Sequence, residues 1–217
     1  FSQDYNMSYI LKLFFAITFI VLFIINSALS KPIKIIVLGD SLVAGYGLLE
    51  KDGFVKKLEE KTQNTNSNIF FLNGGVSGET SSGLRARLDW VLEDKFDGVI
   101  VAIGGNDALR GISPEITSNN IDIILNSLKK LNVPTMLIGM KAPNNLGLNY
   151  VNSFNKMYPI LSKKYQTYFY PFFLSDVALV PKLNQKDMIH PNKQGVEIIV
   201  KKIFPYVLEF IYSLEKN

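Results

Sequence analysis

From Ile33 onward, short apolar runs alternate with longer amphipathic ones, and this alternation constrains the fold more than any other feature of the chain. The first run, "IKIIVLG" (33–39), is apolar almost throughout, as expected of a strand covered on both faces of a parallel sheet. Further strands are predicted over 68–75, 97–105, 133–140 and 167–173. Between them, 53–63 sets Phe54, Val55 and Leu58 on one side and Lys and Glu on the other. Residues 81–95 repeat Leu84, Leu88, Val91 and Leu92 at helical spacing, and 116–132 turn Ile121, Ile124, Leu125 and Leu128 inward. The remaining helices are predicted over 148–165, with a kink at Pro159, and over 191–214, bent or broken near Pro205. Such alternation gives an α/β fold: a central, mainly parallel five-stranded sheet with helices on both faces. Right-handed crossovers then gather the C-terminal ends of the strands on one edge, where ligands of open α/β sheets bind.

Composition narrows the function classes. With 47% hydrophobic and 19% charged residues among 217, the chain can bury a sizeable core, and 31–217 is expected to be a single domain. The absence of Cys excludes disulfides and thiolate metal sites, and one His argues against a catalytic zinc, so no metal is expected. The charge of +4 is spread along the chain without a basic block, which argues against a nucleic-acid partner. Residues 7–30 begin with Met7 and Lys12, continue through an apolar run from Leu13 to Ile25, and end in small residues at Ala28 and Ser30. This is the pattern of an export signal, with cleavage predicted after Ser30 and residues 1–6 lying upstream. A retained anchor is the competing reading, and this segment is the only membrane contact expected. The run is 13 residues long, short of the ~20 needed to span a bilayer. The mature protein is therefore expected outside a bacterial cytoplasm, periplasmic or secreted, and monomeric.

Polar residues concentrate where the strands end. The first strand runs into Gly39-Asp40-Ser41, the second into "NGGVSGETSSG" (73–83), and the third into "GGNDALRG" (104–111). Asp40 is read as shaping the turn and Ser41 as a candidate nucleophile; an ordinary Gly-Asp-Ser turn is the bland alternative. The G-x-S-x-G elbow of α/β-hydrolases does not occur in the chain. An amide at Asn106, with the Ser41 and Gly78 backbone N–H groups, offers three donors to a developing oxyanion, although Asn106-Asp107 also suits a cap or turn. The only His follows Asp187 by three residues and precedes Pro191, so Asp187 can reach back to one imidazole nitrogen and leave the other outward, as a general base requires. A surface His beside a helix cap fits the same residues.

Together, "GDSLVAGYG", "GGVSGETSSGLRARL", "IGGNDALRG" and "DMIHPN" resemble, in order, the blocks of the SGNH (GDSL-type) hydrolase superfamily, and span residues 36–192. "GGNDALRG", "MKAPNNLGLNYVNSFNKMYPIL" and "PFFLSDVAL" look most like its periplasmic lysophospholipase, acyl-CoA thioesterase and arylesterase group. The resemblance implies a flavodoxin-like three-layer α/β/α sandwich. It implies Ser41 as nucleophile, His190 as base, Asp187 as orienting acid, and Ser41, Gly78 and Asn106 as the oxyanion hole. Glu79 stands where the family more usually has Asp, a change expected to be neutral. The activity implied is hydrolysis of acyl esters and thioesters, lysophospholipids among them, through an acyl-enzyme, and from that implied mechanism no cofactor is expected. Asp107, Leu109 and Ile112 are expected to border the substrate. A carbohydrate O-acetylesterase of the same superfamily and a non-catalytic lipid- or glycan-binding protein are the alternatives.

Overall fold

The structure is a computed structural model that describes residues 11–15, 17, 31–65 and 68–216. Contacts divide the chain into Phe1–Pro32 and Ile33–Asn217. In the first unit residues 11–15 are helical; the cleavage point expected after Ser30, and most of the apolar segment before it, lie outside the described residues. Among the described residues no helix is long and apolar enough to cross a membrane.

The second unit is built on five parallel strands, β1 (Ile33–Gly39), β2 (Ile69–Gly75), β3 (Gly98–Ala102), β4 (Thr135–Ile138) and β5 (Tyr168–Tyr170). Their order in the sheet is β2-β1-β3-β4-β5, and every neighbouring pair is parallel. All residues of β3 and β4 are buried, and so are Ile35–Gly39 of β1, which explains their unbroken apolar sequences. Edge strand β2 instead leaves Phe70 and Leu72 exposed, one face lacking a full cover.

Among the described residues seven α-helices connect and cover the strands: α1 (Ser41–Ala44), α2 (Phe54–Gln63), α3 (Ser81–Val91), α4 (Gly105–Leu109), α5 (Pro114–Lys130), α6 (Leu148–Tyr165) and α7 (Lys193–Leu214). α2 packs on α7, while α5 packs on α3 and α6, so the two groups form the outer layers of a three-layer α/β/α sandwich. The inward residues are those the spacing predicts, Phe54 and Leu58 of α2, Leu84 and Leu88 of α3, Ile121, Ile124 and Leu128 of α5. Each such side chain, fully withdrawn from water, contributes about 1.5–3 kcal/mol. Helix α5 starts at Pro114, earlier than the apolar spacing suggests, because Ser113 caps it through the Glu115 N–H and proline suits the first turn. The two short helices α1 and α4 were not expected from periodicity; four- and five-residue helices are too short to show a period.

α6 and α7 run through Pro159 and Pro205 without interruption, so the break allowed for near Pro205 does not occur. Both prolines are exposed, and so is Lys201, whose carbonyl loses its helical partner at Pro205 on the solvent side, where the loss costs less than in the core.

Asp40 is buried, and its Oδ1 caps α1 by accepting the Leu42 N–H at 3.0 Å. Burial pushes its carboxyl up to about 6, against the Leu42 N–H and the His190 charge, with Asp107 and Glu79 adding to the rise.

Two predictions follow from these placements. Pro205→Ala restores a helical hydrogen bond at an exposed site, removing a cost of ~3 kcal/mol that the stiffer unfolded chain partly offsets. We expect a net gain of about 2 kcal/mol and a melting temperature higher by about 4–8 °C, read by thermal denaturation. For Asp40, the native pKa exceeds that of the unfolded chain, so its contribution is complete below about pH 4 and is lost as pH rises through about 6. Asp40→Asn keeps the cap without the charge. Its denaturant-measured stability relative to the parent protein should therefore rise by on the order of 3 kcal/mol from pH 4 to 7.

Candidate active site

The site begins at the end of β1. Gly39 is level with Gly75 of β2 and with Ala102 of β3. A Cβ on Gly39 would stand 2.3 Å from the Ala102 carbonyl oxygen and 2.5 Å from Val43 Cγ2, so only glycine lets the chain turn at once from strand into α1. Ser41 is the first residue of that helical turn, behind the Asp40 cap.

His190 arrives from the loop before α7. The Asp187 side chain shapes this loop: Oδ1 accepts the Ile189 N–H at 2.9 Å and the His190 N–H at 3.0 Å. Met188 between them takes φ +61°, and Pro191 pairs back with Asn184 in an isolated antiparallel bridge. The other oxygen, Oδ2, lies 2.7 Å from His190 Nδ1, and His190 Nε2 lies 2.8 Å from Ser41 Oγ. Burial alone would raise the Asp187 carboxyl; the His190 and Ile189 N–H groups, the Nδ1 bond and the His190 charge outweigh it and bring it down to about 2. An ionised carboxylate at Nδ1 selects the tautomer with the proton on Nδ1, which leaves Nε2 of the neutral ring free to accept the Ser41 hydroxyl.

The oxyanion candidates come from the other two loops. Turn and cap bonds around them use the N–H groups of Leu42, Ala44, Gly45, Val76 and Glu79, not those of Ser41 and Gly78. Asn106 lies in α4 and donates from Nδ2 to the Glu79 carbonyl at 3.0 Å, which ties the β3 loop to the β2 loop and leaves a second amide hydrogen on the same nitrogen. The expectation for Asp107 is corrected by its surroundings. It is buried, its Oδ2 accepts the Ser81 N–H at 2.8 Å, and its Oδ1 accepts the Ser81 hydroxyl at 2.5 Å and the Thr117 hydroxyl at 3.3 Å. With both oxygens so engaged, Asp107 anchors α3 and α5 and does not face a substrate. Leu109 is exposed and Ile112 half-buried on the segment that follows. The Ile112 carbonyl is held by the Tyr150 hydroxyl at 2.6 Å.

Several residues of the site gave no signal in the sequence. Arg87 donates to both Glu79 oxygens, at 2.6 and 2.8 Å, and to the Gly74 carbonyl at 2.6 Å. The longer Glu79 side chain thus serves as one arm of a bidentate pair that braces the Gly78 loop. Arg110 holds the Gly78 carbonyl at 2.8 Å, and the Tyr46 ring lies 4.6 Å from that of His190. All three fall inside the blocks quoted above, Tyr46 in the first, Arg87 in the second and Arg110 in the third, but nothing in their spacing to Ser41 or His190 announces these contacts. Among the described residues no group of three His, Cys, Asp or Glu could hold a metal ion.

Comparison with known proteins agrees with this geometry. Residues 37–198 match the model of the GDSL-like Lipase/Acylhydrolase family. The chain is 35% identical over 182 residues to thioesterase 1/protease 1/lysophospholipase L1 of Escherichia coli (strain K12), covering 83% of this chain and 85% of that one. It is 28% identical over 196 residues to an arylesterase of Vibrio mimicus, covering 90% and 94% of the two. Among solved structures it resembles AlinE4, an SGNH-hydrolase family esterase, with a TM-score of 0.71 and 40% identity over 83% of this chain and 97% of the other. The sheet order, the four blocks and the match across most of its length make the chain a member of the GDSL-like lipase/acylhydrolase family, a hydrolase of ester bonds.

Proposed function

We propose that Ser41, His190 and Asp187 are the catalytic triad of this hydrolase and that it works through an acyl-enzyme. The observation that carries the reading is the unbroken line from Asp187 Oδ2 through His190 to Ser41 Oγ, with contacts of 2.7 and 2.8 Å. Ser41 Oγ attacks the acyl carbonyl carbon while its proton passes to Nε2, and Asp187 stabilises the imidazolium so formed. The carbonyl oxygen, now negative, is received by the Ser41 and Gly78 N–H groups and the Asn106 amide. Collapse breaks the bond to the leaving alkoxide or thiolate, which takes the proton from Nε2. Water then adds to the acyl-enzyme by the same route and releases the acid. No metal or organic cofactor enters the scheme.

The proposed substrates are small acyl esters and thioesters of medium chain length, aryl esters and lysophospholipids included. The names of the relatives support this class, and so does the apolar surface that the exposed Leu109, at the end of α4, and the half-buried Ile112 offer beyond Asn106. The charge and apolar pattern of residues 7–30 supports the reading of an export leader and, with it, of an enzyme working outside the cytoplasm.

The test is turnover of p-nitrophenyl esters from acetyl to palmitoyl. Ser41→Ala should lower kcat at least about 10³-fold, and Asn106→Ala about 10²–10³-fold, in folded protein. A medium-chain optimum that shifts in Leu109→Ala is the expected profile; turnover confined to acetyl esters would instead favour a carbohydrate O-acetylesterase. Near-parental turnover in Ser41→Ala would sink the scheme. For the leader, the intact mass of the exported protein should correspond to a chain starting at Lys31, and a mass retaining residues 7–30 would support the anchor.

A further inference from the structure

Ser41 and His190 meet across 149 residues of chain, each on its own loop, and a single hydrogen bond between them does not set how the loops stand. Gln185 lies where the two loops touch. Its Nε2 donates to the Tyr46 carbonyl at 2.7 Å, five residues beyond Ser41, and to the Pro191 carbonyl at 3.1 Å, next to His190. Its backbone N–H donates to the His190 carbonyl at 2.7 Å, and its carbonyl accepts the Met188 N–H at 3.0 Å. From the other side, Gly47 has φ +73°, and a Cβ there would stand 2.2 Å from Gln185 Oε1, so the carboxamide occupies the space left by that glycine. The Tyr46 ring, carried by the same clasped backbone, lies 4.6 Å from the imidazole at an angle of 40°.

We propose that Gln185 is a positioning residue of the ester hydrolysis: its carboxamide clasps the Tyr46–Gly47 backbone to the His190–Pro191 backbone and so holds His190 Nε2 on Ser41 Oγ. The inference rests on the reading of Ser41 and His190 as nucleophile and base. The chemistry demands an NH₂ group, because both acceptors are carbonyl oxygens and one nitrogen must give a proton to each. A carboxylate of the same shape would turn an unpaired oxygen toward two others. With the clasp released, the base keeps its bond to Asp187 but loses its fixed distance to Ser41. A misplacement of about 1 Å costs on the order of 10²-fold in rate.

The experiment measures kcat and KM for p-nitrophenyl butyrate, with melting curves, for the full chain and for Gln185→Ala, Gln185→Glu, Ser41→Ala and His190→Ala. Both Gln185 variants should melt cooperatively, keep KM within about twofold, and lose about 10–100-fold in kcat. In addition, the ratio of Gln185→Glu to parental kcat should rise as pH falls toward about 4–5, because a protonated carboxyl regains one donor. Gln185→Glu, being isosteric, decides the matter should Gln185→Ala fail to fold. If Ser41→Ala and His190→Ala are inactive but the Gln185 variants turn over within twofold of the parent, the clasp is overturned and the triad stands. A higher KM at unchanged kcat, or a ratio flat with pH, overturns it as well. Turnover retained in Ser41→Ala or His190→Ala removes the triad and the clasp together.

Discussion

The site depends on the register in which β1 is paired on both sides. Gly39 stands level with Gly75 of β2 and with Ala102 of β3, so the three loops carrying Ser41, Gly78 and Asn106 leave the sheet from one line. A slip of one residue in either ladder would move a loop by about 3.3 Å along the strand and turn its side chains to the other face. Buried apolar residues on both sides of β1 and β3 set that register, so the hydrophobic core and the polar edge are parts of one arrangement. The order β2-β1-β3 places the loops after β1 and β3 on either side of the point where the chain reverses direction across the sheet.

Around that line the loops are tied to one another by side chains that do no chemistry. Asp107 fastens α3 and α5 through Ser81 and Thr117, Arg87 grips Glu79 and the Gly74 carbonyl, and Arg110 holds Gly78 from outside. Preorganised donors raise a rate only if they need not move when charge develops. Asn106 illustrates the division of labour: one amide hydrogen is committed to the Glu79 carbonyl, which fixes the nitrogen's place, and the other is left over.

The strands, the inward faces of α2, α3 and α5, and the four polar blocks were legible because each is a local pattern: a period, a cap or a motif. The turn around His190 was legible for the same reason, Asp187 and Pro191 both acting within three residues. Contacts made at a distance were not. Gln185 reaches Tyr46 across 139 residues, and no spacing announces it. Asp107 was expected at the substrate because it opens the segment after Asn106, whereas its partners Ser81 and Thr117 lie on helices whose packing only the fold brings near. The break allowed for near Pro205 misled in the opposite sense. Proline opposes a helix locally, but at Pro159 and Pro205 it falls on the wet side of long helices whose apolar faces hold them.

Asp187 spends its two oxygens differently, one on the backbone of its own loop and one on the imidazole. The carboxylate cannot swing away from the ring without also unlacing the turn that presents the ring. Loop and acid therefore behave as one mechanical part. Grafting the acid onto another position would orient the histidine only if another group accepted the Ile189 and His190 N–H bonds that hold the turn. The turn that carries the imidazole and the carboxylate that orients it are thus a single unit.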